Sequence, residues 1–184
     1  SRFSPAGYAA RYAGQLLPSR SDFLLAFGQA LPWAKDRGMS LYCTMPIPPC
    51  SVDVAEFAPI HFGSCSIGTS MQEIALGPDG RLKNCTLHKT ALGGVTDILD
   101  EGVDVASLIA SPELTEYKRE TPEFCHGCLH EHTCAGGCGA AAEWVMGHAR
   151  KFADPFVMQH VDDDLATRLE AQRRDGKTHL EVIL

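Results

Sequence analysis

Four thiols stand at Cys125-x2-Cys128-x5-Cys134-x3-Cys138, and two more, Cys65 and Cys85, bracket an upstream run with Gly80 five positions before Cys85. Thiolates are ligands for soft and borderline metals, and spacing alone does not separate zinc from iron–sulfur clusters. Cys125, Cys128, Cys134 and Cys138 could close a tetrahedral zinc site. That choice leaves Cys65 and Cys85 unused. A close run of cysteines whose last member serves a neighbouring cluster is a recurring iron–sulfur arrangement. Cys43 and Cys50 complete the set of eight.

The composition favours metal over disulfides. The chain has 184 residues, 45% of them hydrophobic and 21% charged, enough to bury an apolar core without staples. Spacings of two and three residues between cysteines suit metal loops better than a disulfide framework. A net charge of -7 lacks the clustered Lys and Arg of a nucleic-acid footprint. No apolar run approaches the roughly 18 residues of a membrane span. Exposed clusters and free thiols persist in a reducing cytosol, so the expected location is cytoplasmic.

The elements that must position the thiols are readable in part. Pro5 starts a short helix through Tyr8, Tyr12, Leu16 and Leu17, ended by Pro18. Ser19 or Ser21 then caps a helix with Phe23, Leu24, Phe27, Leu31 and Ala34 at helical spacing and Gly38 after its end. Pro32 is expected to kink it or end it early. Residues 39–45 read as a short buried strand stopped by Pro46, Pro48 and Pro49. Helix, glycine stop and strand make half of a βαβ unit. Residues 51–64 read as a linker. Met71 to Leu76, the turn Pro78-Asp79-Gly80 and residues 81–84 read as a hairpin that returns Cys85 toward Cys65. Helical patterns cover residues 105–118, 135–148 and 162–174, and the run Asp162-Asp163-Asp164 is read as a solvated helix start.

The pattern Cys65-x14-Gly80-x4-Cys85, a gap, then Cys125-x2-Cys128-x5-Cys134-x3-Cys138 resembles the SPASM domain of radical S-adenosylmethionine (SAM) enzymes, the Cys134-Ala-Gly-Gly-Cys138 step being characteristic. The implied fold class is α+β: the end of a partial (β/α)6 radical SAM barrel over 1–50, a linker over 51–64, a small cysteine-rich SPASM domain over 65–157 with a β-hairpin, cluster-binding loops and helices, and a helical tail over 158–184. The resemblance implies auxiliary 4Fe–4S clusters, one or two of them. Cys65, Cys85 and Cys138 would ligate cluster I, and Cys125, Cys128 and Cys134 cluster II. Gly136 and Gly137 would let backbone approach the inorganic sulfide.

Two departures leave ligands open. The family's last cysteine follows an Asp-Pro step; here Asp154-Pro155-Phe156 is followed by Val157. Cluster II would then take Asp154, His160 or water, keep an open iron, or be absent. The fourth ligand of cluster I is also open, with Cys50 the better candidate and Cys43 read as a core thiol. His126, His130 and His132 are read as solvated loop positions that could supply outer hydrogen bonds. His61, His88 and His148 have no evident partner, and Arg2 is read as a surface residue.

A third departure concerns the chemistry itself. The Cys-x3-Cys-x2-Cys motif that holds the family's SAM cluster is absent. The chain therefore reads as the C-terminal part of a longer oxidoreductase, inactive alone, with SAM and its cluster expected upstream. The resemblance implies modification of a peptide or protein substrate, with a reductant such as flavodoxin or ferredoxin, no nucleic acid and no membrane. Alternatives are a zinc-stabilised binding module and a free-standing iron–sulfur electron carrier.

Overall fold

The computed structural model describes residues 3–52, 54–69, 71–100, 121–149 and 151–158, together with 104, 106, 107, 110 and 112. The fold mixes short helices with two small sheets. A 3-10 turn, Gly7–Tyr12, runs into helix α1 (Ala13–Leu16), and helix α2 (Arg20–Asp36) follows. Ser19 caps α2: its Oγ accepts the Asp22 N–H at 3.1 Å and the Asp22 carboxylate accepts the Ser19 N–H at 3.1 Å. At the other end Gly38 takes φ +62, Gly38 N–H donates to Lys35 O and Met39 N–H to Ala34 O, the paired bonds of a Schellman stop.

Pro32 does not end α2. It lies on the exposed face, as does Gly28, whose carbonyl it leaves without an intrahelical donor, so water can serve that oxygen. Phe23, Phe27, Leu31 and Ala34 face inward on both sides of it, and their packing carries the helix across.

Strand β1 (Tyr42–Cys43) is shorter than the expected strand and pairs in parallel with β2 (His61–Phe62), Tyr42 opposite His61 and Cys43 opposite Phe62. The expected linker 51–64 is therefore structured. It holds a 3-10 turn (Val54–Phe57) and β2, and it contributes Val52, Phe57 and Ile60 to the main core beside Phe23, Cys43 and Ile47. Phe156, from far along the chain, closes that core with its ring 5.4 Å from Phe23. Each fully buried aromatic or aliphatic side chain there contributes roughly 1.5–3 kcal/mol, so 51–64 is part of what holds the fold together.

The second sheet is antiparallel, in the order β3 (Ala75–Leu76), β4 (Arg81–Lys83), β5 (Gly93–Gly94). Gly77 N–H donates to Arg81 O at 2.8 Å, Gly80 N–H to Gly77 O at 3.0 Å, and Gly80 has φ +75, so the turn forms at Pro78-Asp79-Gly80. Helix α3 (Val95–Asp100) follows β5, where no helix is expected from the sequence; the Asp97 carboxylate accepts the Gly94 N–H at 2.6 Å. Most of 105–118 and all of 162–174 lie outside the described residues.

The last segment holds α4 (Glu131–Cys134), α5 (Gly139–Met146) and α6 (Pro155–Met158). The helix expected over 135–148 starts only at Gly139. Ala135, Gly136 and Gly137 have φ of +48, +79 and +86, a left-handed run no right-handed helix can include. Among the described residues no helix is long and apolar enough to cross a membrane.

Candidate metal centres

Two thiol groups form, and they are separate. The first gathers Cys125, Cys128, Cys134 and Cys50 around one cavity, together with Val157 and Gly136. A chain of turns wraps its rim: Cys125 N–H donates to Pro122 O, Cys128 N–H to Cys125 O, Glu131 N–H to Cys128 O and Cys134 N–H to His130 O. Glu131 pins this loop by accepting the Gly127 N–H at 2.9 Å. Cys50 reaches the cavity at the end of the stiff Pro46-Ile47-Pro48-Pro49 lead. The cavity is tight, with room of about 10 Å³, on the order of one water-sized sphere.

Burial dominates the electrostatics of this group. It pushes the Cys50 thiol up to about 12, with the neighbouring Cys134 and Cys128 adding to the rise. Cys125 moves up for the same reasons, burial first, then Cys134, Cys50 and Cys128. Burial also raises Cys134, to about 11, against N–H donors from Gly137 and Gly136 that favour its thiolate. Cys128 is raised by burial and held back by the His130 N–H, 3.3 Å from its sulfur. Mutual repulsion among would-be thiolates is what a bound cation relieves, so loading such a site releases protons. The donated N–H groups are of the kind that tune cluster sulfurs.

The second group brings Cys65, Cys85 and Cys138 around a larger and more open cavity that also meets Met45, Asn84 and Leu87. Cys138 is the N-cap of α5, and its sulfur accepts the Ala141 N–H at 3.5 Å. The Cys85 sulfur accepts the Leu87 N–H at 3.4 Å. The loop after Cys85 is clamped to α5: Trp144 Nε1–H donates to Leu87 O at 2.7 Å, Lys89 Nζ–H to Glu143 O at 3.0 Å, and buried His88 lies 3.6 Å from the Glu143 carboxylate. That clamp sets Cys85 beside Cys138 and supplies His88 with the partner that its sequence does not reveal.

Asp154 ties the two groups together. Its side chain is fully buried; Oδ2 accepts the Cys138 N–H and Oδ1 the Phe156 N–H, each at 2.9 Å, and its own N–H donates to Gly136 O at 2.7 Å. The carboxylate expected as a substitute cluster ligand is thus spent on backbone, holding the Cys134–Cys138 loop against the start of α6. Asp154→Ala should cost about 3 kcal/mol, the loss of two charge-assisted bonds with the N–H groups left buried. Asp154→Asn, which keeps one acceptor, should cost less. Denaturant unfolding of the metal-free chain measures both.

Comparison with family models, curated proteins and solved structures finds no match to this chain.

Cys65, Cys85 and Cys138 share one cavity; Cys125, Cys128 and Cys134 share another. Cys50, expected beside Cys65, Cys85 and Cys138, sits with the other three instead. Val157 lines that same cavity beside Cys50. Cys43 lies in the phenylalanine core with its thiol directed at Met45 O. His130 borders the first cavity, and His126 Nε2 lies 3.1 Å from Thr121 O. His160, Arg2 and Asp162-Asp163-Asp164 lie outside the described residues. Among the described residues no three His, Cys, Asp or Glu side chains converge closely enough to hold one metal ion.

Proposed function

We propose that this chain is the auxiliary-cluster portion of a radical SAM/SPASM oxidoreductase that modifies a peptide or protein in the cytoplasm, with 4Fe–4S clusters as its cofactors. The observation that carries the reading is the division of seven cysteines into two cavities, Cys50, Cys125, Cys128 and Cys134 in one, Cys65, Cys85 and Cys138 in the other. The thiolates of a cluster sit on different irons and stand farther apart than the ligands of a single zinc. Seven thiols divided four and three between two cavities suit two multi-iron centres better than one zinc site, which would leave at least three of them unused.

When bound, such clusters supply one-electron acceptance and relay at potentials set by ligand type, sulfur hydrogen bonds and exposure. The chain's own residues do the rest. Gly136, Gly137, His130, Leu87 and Ala141 direct N–H groups at cysteine sulfurs, and Phe124, Ala153 and Val157 keep the first cavity apolar. With no Cys-x3-Cys-x2-Cys motif in its sequence, the chain alone should not cleave SAM.

Anaerobic reconstitution followed by iron, sulfide and zinc quantitation tests the reading. About eight irons with matching sulfide are expected, the content of two 4Fe–4S clusters. Stoichiometric zinc without sulfide would sink it in favour of a structural metal module.

A further inference from the structure

Pro48, Pro49, Phe124, Ala153 and Val157 give the cavity of Cys50, Cys125, Cys128 and Cys134 an apolar wall, and among the described residues Glu131 is the one acidic side chain that lines it. We propose that Glu131 is a fixed anion that holds down the reduction potential of the centre at these four thiols, making its reduced form the stronger electron donor; this rests on the iron–sulfur reading above. Glu131 opens α4, whose last residue is Cys134. Its backbone is tied on both sides: its N–H donates to Cys128 O at 2.9 Å and its O accepts the Ala135 N–H at 3.0 Å. Its carboxylate turns back along the loop and accepts the Gly127 N–H at 2.9 Å, one residue before Cys128 and two after Cys125. The loop that carries the thiols therefore fixes where this charge stands.

The hydrogen bond does not need the charge. A glutamine at 131 would offer the Gly127 N–H an oxygen of the same reach, whereas a carboxylate adds repulsion toward any thiolate in the cavity. Cys125 and Cys128 feel that repulsion: burial is the first cause that raises both thiols, and the Glu131 charge adds to the rise in each. Adding an electron beside a fixed negative charge costs Coulomb energy, and an apolar wall screens that charge less than water does. The potential falls accordingly, since net charge is one of the quantities that set it. Glu131 is half-buried, so added salt should weaken the effect without abolishing it. The cavity of Cys65, Cys85 and Cys138 is not lined by Glu131, which makes its centre the internal reference.

The test uses the anaerobically reconstituted full chain, native and as Glu131→Gln and Glu131→Asp, in EPR-monitored redox titrations at low and high salt. Loss of one signal in Cys65→Ala assigns the reference centre. Glu131→Gln, which keeps the acceptor and drops the charge, should retain full iron and raise the potential of the Cys50 centre alone, by less at high salt. Glu131→Asp, which keeps the charge on a shorter side chain, should stay close to native. Equal rises in the two variants would trace the effect to the Gly127 hydrogen bond and overturn the proposal. So would an equal rise at both centres, which reports the net charge of the chain, or iron retained with no potential moved by Glu131→Gln. Iron lost from Glu131→Gln assigns residue 131 a structural role and overturns it as well. No iron and no sulfide in the native chain removes the underlying reading, and the proposal with it.

Discussion

On the proposed two-cluster reading, replacing Cys50 by alanine should remove about four of the roughly eight irons and leave the centre at Cys65, Cys85 and Cys138 loaded. Cys50 shares its cavity with Cys125, Cys128 and Cys134, and the charge coupling among these four thiols places them in one electrostatic neighbourhood. Truncating a small buried thiol costs only about 1 kcal/mol of packing, too little to unfold a domain, so iron loss would report ligation. Cys43→Ala is the matched control: equally buried, but set in the phenylalanine core, it should lose no iron. The stronger half of the test is relocation. Val157 is buried, packs in one cluster with Cys50 and Cys125, and lines the same cavity. Cys50→Ala with Val157→Cys should therefore regain the lost iron, measured by metal and sulfide analysis and by visible absorbance. Full iron content in Cys50→Ala would show that the four thiols do not act together.

What could be read from the sequence was local. The Ser19 cap, the Gly38 stop and the Pro78-Asp79-Gly80 turn each depend on residues within a few positions of one another, and each stands where the pattern puts it. The thiol spacings likewise bring Cys125, Cys128 and Cys134 into one loop. Cys50 could not be assigned from spacing, because its neighbours lie across a long stretch of chain and only the route of the proline-rich lead decides which cavity it enters. Residues 51–64 were opaque for a different reason. Val52, Phe57 and Ile60 are core, yet they sit in a turn, a 3-10 helix and the position just before β2, so no single period marks them. Asp154 is a marker in the motif, whereas its work is to accept N–H groups from Cys138 and Phe156, a pairing only the folded chain creates.

Gly137→Ala should lower stability by about 3 kcal/mol and, on the two-cluster reading, empty both centres. The cost has two sources. Gly137 sits at φ +86, where an L side chain loses roughly 1–2 kcal/mol. A Cβ there would also stand 2.8 Å from Asp154 Cβ and 2.9 Å from Pro48 Cγ, a backbone-anchored carbon and a rigid ring that cannot swing aside, adding overpacking of about 1–3 kcal/mol. Gly147 separates these terms. Its φ is +85 with nothing within 4 Å of the added carbon, so Gly147→Ala should carry the strain alone, about 1 kcal/mol. For a chain of this size the two variants should differ by roughly 4–8 °C in melting temperature. The metal readout follows from position. Gly137 and Gly136 donate to Cys134 of one centre, Cys138 of the other is the next residue, and Pro48 leads to Cys50. A shift that relieves the Cβ clash must move the Cys134–Cys138 loop, the Asp154 carboxylate or the Pro48 lead, and all three hold thiols in place. Equal melting temperatures for Gly137→Ala and Gly147→Ala, with iron retained in both, would mean that the close approach of Gly137 to Asp154 and Pro48 is not what locks the two centres together.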